Sequence, residues 1–216
     1  MVLDLHYFRG DACRERIVAA GRTALRDGNG AFTVEQVAAA ADLPRSVVQL
    51  HFSSMDGLRD LILEDFFRKV LPVAFRAALD RLILSRHHMA EIDLVRLFLD
   101  ILRLMLEEYP HYFKADFLSS RERRQLNGWS FFQLFLDRCL DLVDSHFDSG
   151  RESGIFCENL TPVAVRQFLR GLFLGSTMQC LFVSEDCDPS FLFEKVKEQT
   201  QQLLCAGRYD WKMMTD

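Results

Sequence analysis

The chain has 216 residues, 49% of them hydrophobic, and a formal net charge of −5 at pH 7. Its length provides for one large domain or for two smaller ones, and its apolar content excludes an intrinsically disordered chain. The acidic balance argues against a protein that coats nucleic acid, whereas a sequence-specific DNA-binding protein needs only a local basic patch.

The six cysteines form no C-x-x-C pair, so neither a zinc site nor a thioredoxin-like site is indicated. The first residues lack the basic and apolar segments of a signal peptide. No apolar run reaches the roughly 18 residues that a membrane span requires. We therefore expect a cytoplasmic protein with reduced thiols and no membrane partner, with a redox switch at one cysteine as an alternative.

Apolar residues recur at spacings of three and four between clusters of glycine and proline, a pattern that predicts helices almost throughout. No alternating strand patterns joined by hairpin turns occur in the sequence. The first helix is predicted over residues 11–27, with Ile17, Ala20 and Ala24 on its buried side, and it ends at the glycine turn DGNG.

The second and third predicted helices are short and are joined by a tight turn. Thr33 and Gln36 fit a capping box, which places the start of the second helix at Thr33. Asp42 is expected to adopt a left-handed conformation in the turn, and Pro44 suits the first position of a third helix over residues 44–51. This layout is typical of a helix-turn-helix module, whose second short helix lies in the major groove of DNA.

The rest of the chain is also predicted to be helical. A fourth helix is expected from a cap at Ser54 to about residue 86, with a kink at Pro72. A capping residue followed by proline, at Thr161 and at Asp188, marks two later helix starts. The later helices are expected at about residues 92–107, 111–118, 121–150, 161–183 and 189–205, with an interruption of the 121–150 helix near Gly128 as an alternative.

Residues 13–60 resemble the TetR family of bacterial transcriptional regulators. The resemblance rests on IVAAGRTALRDGNGAFTVEQVAAAADLPRSVVQLHF followed by SSMDGL, and it covers under a quarter of the chain. It implies an all-α fold, with an N-terminal three-helix DNA-binding domain over residues 1–56. A larger helical domain for ligand binding and dimerisation would span residues 57–216. The matching positions are Ala19, Ala20, Gly28, Thr33, Val37, Ala38, Ala41, His51, Phe52, Ser54, Asp56 and Leu58.

Residues 1–60, hereafter the head, depart from the family pattern at two positions. Gln49 replaces a tyrosine of the third helix, and Met55 replaces a lysine of the fourth, both common phosphate contacts in the family. The head contains seven arginines, eight acidic residues and no lysine, so its formal charge is 7 − 8 = −1. Because phosphate neutralisation supplies most of the affinity for DNA, we expect restricted DNA binding or a head that no longer binds DNA.

The candidate DNA-binding residues surround the third helix. Arg45 at its start can read guanine with two hydrogen bonds, and Gln49 can pair with adenine. The alternative for Arg45 is a solvated surface arginine. His51 and Thr33 can contact phosphates, although His51 is equally well a structural histidine and Thr33 a helix cap alone. The full candidate set is Arg14, Thr33, Arg45, Ser46, Gln49 and His51.

The C-terminal part holds all of the 19 phenylalanines except Phe8, Phe32 and Phe52, and the simplest explanation is an aromatic helical core. By the resemblance, these helices would surround a cavity for a small hydrophobic ligand. The candidate lining residues are Phe98, Met105, Phe131, Phe135 and Met178.

The segment GLFLG places two small residues four positions apart inside an apolar helix, which allows a second helix to approach closely. That contact could lie within one subunit. By the resemblance, the last two helices would instead pair with their copies in a two-fold four-helix bundle. The candidate interface residues are Gly171, Leu172, Gly175 and Gln179.

No constellation in the sequence indicates catalysis, a metal site or a cofactor. His87 and His88 are adjacent and do not share a helix face, and no nucleophile elbow or phosphate loop occurs. The sequence therefore predicts a dimeric repressor, not an enzyme, that binds a pseudo-palindromic operator in double-stranded DNA and is released by a small hydrophobic ligand. The alternatives are a ligand sensor or protein-interaction module with a degenerate DNA-binding head, and a thiol-based sensor.

Overall fold

The computed structural model describes residues 10–84, 91–125, 130–152, 160–183 and 188–204. All regular secondary structure in these ranges is helical, so the predicted all-α fold is confirmed. Two π-helical segments, Phe66–Val70 and Gln179–Val183, follow α4 and α9. The α-helices are α1 (Asp11–Asp27), α2 (Val34–Ala41), α3 (Arg45–His51), α4 (Met55–Asp65), α5 (Leu71–Leu84), α6 (Glu91–Glu108), α7 (Pro110–Gln125), α8 (Phe131–Glu152), α9 (Pro162–Met178) and α10 (Pro189–Leu204).

The helices pack into two compact units. The first unit comprises the described parts of Met1–Leu71 and Tyr109–Phe132, and the second comprises those of Pro72–Glu108 and Gln133–Asp216. The first unit thus contains α4 and α7 in addition to α1, α2 and α3. The domain boundary predicted at residue 56 is a functional one, between DNA binding and ligand binding. The packing of the helices does not test it, so this boundary stays a prediction.

Local sequence signals set the helix ends of the head. The N–H of Gln36 donates to Thr33 Oγ1 at 3.3 Å and the N–H of Thr33 donates to Gln36 Oε1 at 2.7 Å, which confirms the capping box. Asp42 has φ = 49°, which confirms the left-handed turn residue. Pro44 is the residue before α3 and not its first residue, because its ψ of 143° is not helical. Helix α3 therefore starts at Arg45, one residue later than predicted.

A widened helical turn lies directly before Pro72. The N–H of Leu71 donates to the carbonyl of Phe66, five residues earlier, so the segment Phe66–Val70 is π-helical. The next residue, Pro72, has no N–H to donate to the helix. Upstream, Ser54 accepts a hydrogen bond from the N–H of Gly57 at 3.1 Å, as predicted for the cap of α4.

The boundary between α7 and α8 differs from the sequence prediction. The predicted break near residue 118 does not occur, because the polar residues that follow are good helix formers and α7 continues to Gln125. The helix predicted to start at residue 121 begins instead at Phe131. The buried carboxylate of Asp116 accepts the N–H groups of Phe131 and Phe132 at 3.1 and 2.9 Å. A side chain of α7 therefore caps the start of α8.

Helix α7 completes the core of the first unit. The turn after α1 approaches it so closely that a Cβ on Gly30, which has φ = +95°, would lie 3.1 Å from the carbonyl oxygen of His111. The rings of Phe66 and Tyr112 stack with centroids 3.9 Å apart. Burial lowers the pKa of His111, with a further contribution from Arg26, and burial raises the pKa of Tyr112.

The second unit has an aromatic core and an ion-pair cluster around the buried Lys197. Ring centroids lie 5.5 Å apart for Phe75 and Phe98 and 4.8 Å apart for Phe98 and Phe173, which links α5, α6 and α9. Lys197 of α10 is buried and pairs with Asp100 of α6 and, at 2.6 Å, with Glu194. This cluster ties α10 to α6 because a buried ammonium group requires a carboxylate partner.

We predict that Lys197→Ala lowers the free energy of unfolding by roughly 2–3 kcal/mol, since it leaves Asp100 without its cation and opens a cavity. Lys195→Ala is the matched control on the same helix. Lys195 pairs with Glu198 and lies over the ring of Phe191, but all three side chains are exposed, so its loss should change stability by less than about 0.5 kcal/mol. Urea unfolding at pH 7 and one fixed protein concentration measures both. Equal losses in the two variants would contradict the assignment.

Candidate functional site

Helix α3 has a buried side and an exposed side. Val47 and Val48 are 1% and 0% exposed and belong to the core of the first unit. Arg45, Ser46 and Gln49 are exposed, as the sequence predicted for a DNA-reading face. Leu50 is 46% exposed, because it lies next to Gln49 on the outer side of the helix.

The turn before α3 holds this helix in a fixed direction. Asp42 and Leu43 close α2 by donating their N–H groups to the carbonyls of Ala39 and Ala38 at 3.1 and 3.0 Å. Pro44 then fixes φ at the entrance to α3. The polar face of α3 is therefore presented by a turn with few conformational alternatives.

Arg45, the strongest DNA-reading candidate, is paired with an acid. Its Nη1 lies 2.8 Å from Oε1 of Glu35 in the first turn of α2, and both side chains are more than half exposed. Sequence reasoning missed this partner, although Glu35 and Arg45 both stand in the first turns of helices joined by a tight turn.

The other described arginines of the head also have close partners. Arg16, Arg22, Arg26 and Arg59 each pair with a carboxylate, at N–O distances from 2.5 to 3.5 Å. Arg14 lies with its guanidinium carbon 5.5 Å from the centre of the Phe52 ring. The head therefore presents its positive charge largely within local ion pairs, in keeping with its net charge of −1.

Three further DNA-binding candidates lie around α3. Thr33 is exposed and its hydroxyl already serves the capping box. His51 is half-buried at the end of α3, and together with Arg14 it lines an open cleft of about 360 Å³. Phe52 and the acidic residues Asp60 and Glu64 also line this cleft. The cleft therefore has mixed charge.

No protein-family model and no curated protein matches the sequence. Solved structures of regulators do match it in fold. A protein from Saccharomonospora viridis, described as a transcriptional regulator in complex with choline, shares 18% identity, with 91% of this chain and 99% of its own covered at a TM-score of 0.63. The fatty acid degradation regulator FadR from Bacillus halodurans shares 15% identity, with coverages of 89% and 96% and a TM-score of 0.62. A TetR transcriptional regulator from Chloroflexus aurantiacus shares 18% identity, with coverages of 89% and 96% and a TM-score of 0.60.

This chain has the fold of the TetR-family regulators. The similarity spans the head and the larger helical part together, whereas the sequence resemblance stopped at residue 60. At 15 to 18% identity the TetR fold is what these structures share with it, and the roles of individual residues are inferred from their own geometry.

The predicted ligand residues of the TetR-like chain are distributed over the two units. Phe98, Met105 and Phe135 are buried in the second unit. Phe131 belongs to the first unit, where its ring lies 6.5 Å from that of Phe67. Met178 is 41% exposed, because it follows the buried Phe173 at a spacing that turns it to the outer side of α9.

The predicted interface residues lie on an open face of α9. Gly171, Gly175 and Gln179 are exposed, and Leu172 is half-buried. A Cβ built on either glycine meets nothing within 4 Å in the described part of the chain. The alternative of a close helix contact within one subunit at these glycines is therefore not found there.

The described ranges include one buried cysteine, Cys139. Burial raises the pKa of Cys139 to about 12, so this thiol stays protonated and unreactive at neutral pH. No group of three His, Cys, Asp or Glu side chains with metal-binding geometry occurs among the residues described, and His87 and His88 lie outside them. Within these residues, no helix combines the length and the apolar character that crossing a membrane requires.

One buried hydroxyl in the second unit lacks a hydrogen-bond partner within the described ranges. Ser176 and Thr200 donate to the carbonyls of Leu172 and Val196, four residues earlier, each at 2.7 Å. Thr177 is 0% exposed, and its hydroxyl has no hydrogen-bond partner among the residues that the structure describes. Leaving a buried polar group unpaired costs about 1–3 kcal/mol. Periodicity identified Thr177 only as a helix residue, and no sequence signal marked it.

We predict that Thr177→Val raises the free energy of unfolding by about 1 kcal/mol, because valine keeps the shape and removes the unpaired hydroxyl. Thr200→Val is the matched control, since it removes a satisfied hydroxyl and should lower stability by up to about 1 kcal/mol. Chemical denaturation of the ligand-free protein measures both changes. A loss of stability in Thr177→Val as large as in Thr200→Val would contradict the assignment.

Proposed function

We propose that this TetR-like chain is a cytoplasmic transcriptional regulator, a repressor that binds a pseudo-palindromic DNA operator as a homodimer and leaves it when a small hydrophobic ligand binds. The observation that carries the proposal is the exposed polar face of α3, held by a capped and tightly turned helix-turn-helix within a TetR fold. A two-fold dimer of such heads would meet two half-sites one helical turn apart.

Arg45 is the residue we assign to base reading. It is the first residue of α3, and the N-terminal residues of a recognition helix are those that reach base edges. Gln49 lies one helical turn further along the same exposed face and can recognise adenine. Ser46 completes this face. We propose that the DNA backbone is contacted by three residues around α3, namely Arg14, the helix cap Thr33 and His51.

The exposed face of α9 supports dimerisation. Gly171 and Gly175 leave room for close approach of a second helix, and Met178, which follows them on the same face of α9, is 41% exposed. Apolar surface of this kind is normally covered by a partner. A second copy of the chain fits the requirement because a two-fold operator calls for a two-fold protein. Leu172 and Gln179 are the other residues proposed for this contact.

The second unit supports a ligand that is mostly apolar and carries one hydrogen-bonding group. Phe98, Met105 and Phe135 supply buried apolar surface, and the unpaired hydroxyl of Thr177 can serve a polar atom. The similar structure with choline shows that one protein of this fold holds a small organic molecule. A ligand of this chain would release DNA only through a difference in affinity between the two conformations.

A second candidate function is favoured by the electrostatics of the head. Gln49 and Met55 replace the basic or phosphate-binding residues of the family pattern, and the described arginines are engaged locally. A head of this kind could have lost DNA binding, which would leave a ligand sensor or a protein-interaction module. The two functions differ in whether the native chain binds any duplex DNA.

We predict that Arg45→Ala weakens binding of the preferred duplex by about 1–3 kcal/mol, because it removes a two-hydrogen-bond contact to guanine. Arg26→Ala is the control: it also removes an exposed arginine that is paired with an acid, but at the end of α1. Fluorescence anisotropy with a duplex enriched by the native protein measures both. Equal effects of the two substitutions would remove Arg45 from the reading face.

We also predict that the double variant Gln49→Tyr, Met55→Lys binds duplex DNA more tightly than the native chain, because it restores two phosphate contacts of the family pattern. Gel retardation of genomic fragments at low salt compares the two proteins. If neither protein retards any fragment, the head is not a DNA reader and the second candidate function stands.

A further inference from the structure

The contact between Glu35 and Arg45 joins the two helices of the reading module. Glu35 is in the first turn of α2 and Arg45 begins α3, and their side chains meet at 2.8 Å. The exposed fractions are 59% for Glu35 and 60% for Arg45, so water and solutes reach both groups. The ion pair is thus formed on the surface that the proposed function assigns to DNA.

The sequence of α3 makes this pair consequential. In RSVVQLH, only Arg45 and His51 can carry a positive charge, and His51 lies half-buried at the opposite end of the helix. The carboxylate of Glu35 therefore forms an ion pair with the guanidinium group that is the main cation of α3. A phosphate or a guanine edge must compete with this carboxylate for the same N–H donors.

We infer that Glu35 is an internal competitor of DNA for Arg45, and that it sets the balance between specific and non-specific binding. This inference rests on the proposed function of the head. When DNA binds, Arg45 exchanges the carboxylate for a DNA acceptor, and Glu35 stays behind as a negative charge near the duplex. A guanine edge that accepts two hydrogen bonds compensates for this exchange better than a single phosphate contact does. On a random sequence, Arg45 can remain with Glu35 instead. The competition therefore weakens binding of the preferred site at least as strongly as binding of a random sequence.

The size of the effect follows from the exposure of the pair. Ion pairs between exposed side chains contribute up to ~1 kcal/mol, which corresponds to a change in affinity of about fivefold. Removing the carboxylate should tighten binding by about this factor. The change should depend on Arg45, because competition needs both members of the pair.

The test uses four variants of the full chain: Glu35→Gln, Arg45→Ala, their double variant, and Asp42→Asn. Asp42→Asn is the matched control because this substitution removes the same charge from the same module, whereas the partner of Asp42 is Arg16 on α1. Asparagine tolerates the left-handed conformation at that position. Fluorescence anisotropy measures binding of a random-sequence duplex and of a duplex enriched by the native protein, and thermal unfolding confirms that each variant is folded.

We expect Glu35→Gln to bind the enriched duplex about fivefold more tightly than Asp42→Asn does, with an equal or smaller gain on the random duplex. In the Arg45→Ala background, Glu35→Gln should give no more than the gain seen for Asp42→Asn. A gain that persists without Arg45, or equal gains in Glu35→Gln and Asp42→Asn, would overturn the inference and leave the proposed function intact. Failure of the native protein and of every variant to bind either duplex would overturn both.

Discussion

The burial of Val47 and Val48 is the constraint on which the proposed site depends. Helix α3 has only seven residues, too few to be stable alone in water. Its two valines are almost completely buried in the core of the head, and this contact decides which side of the helix faces outward. Arg45, Ser46 and Gln49 are exposed for the same reason. Loss of these apolar contacts would remove the reading face together with the helix.

The electrostatics of the head give this reading face an unusual character. The described arginines of the head pair with acids or lie over an aromatic ring. DNA must therefore replace these partners in order to contact the arginines. Such pairs are exposed and individually contribute little to stability, so exchange is feasible. The expected consequence is a protein that discriminates between sequences more by the quality of its contacts than by general attraction to phosphates.

Much of the fold follows from local sequence signals, and the departures come from contacts between distant residues. The capping box at Thr33 and the left-handed Asp42 depend on neighbouring residues, so the sequence predicts both correctly. The sequence predicts the start of α8 ten residues too early. The observed start depends on the buried carboxylate of Asp116, which lies 15 residues before the N–H group that it caps.

The candidate sites show the same division. The outward position of Arg45 and Gln49 follows from the helical period of α3 once Val47 and Val48 are recognised as core residues. The carboxylate beside Arg45 comes from a different helix, so no local pattern reveals it. In the second unit, periodicity identifies aromatic helices but not which side of each helix faces inward.

DNA reading by the head is tested most directly by selecting duplexes from a random pool with the purified native protein at low salt, and then titrating the enriched duplex with salt. We expect enrichment of a palindromic site with half-sites about one helical turn apart, and an affinity that falls as salt rises. No enrichment at low salt, or binding that does not respond to salt, would contradict the claim that this TetR-like head reads DNA.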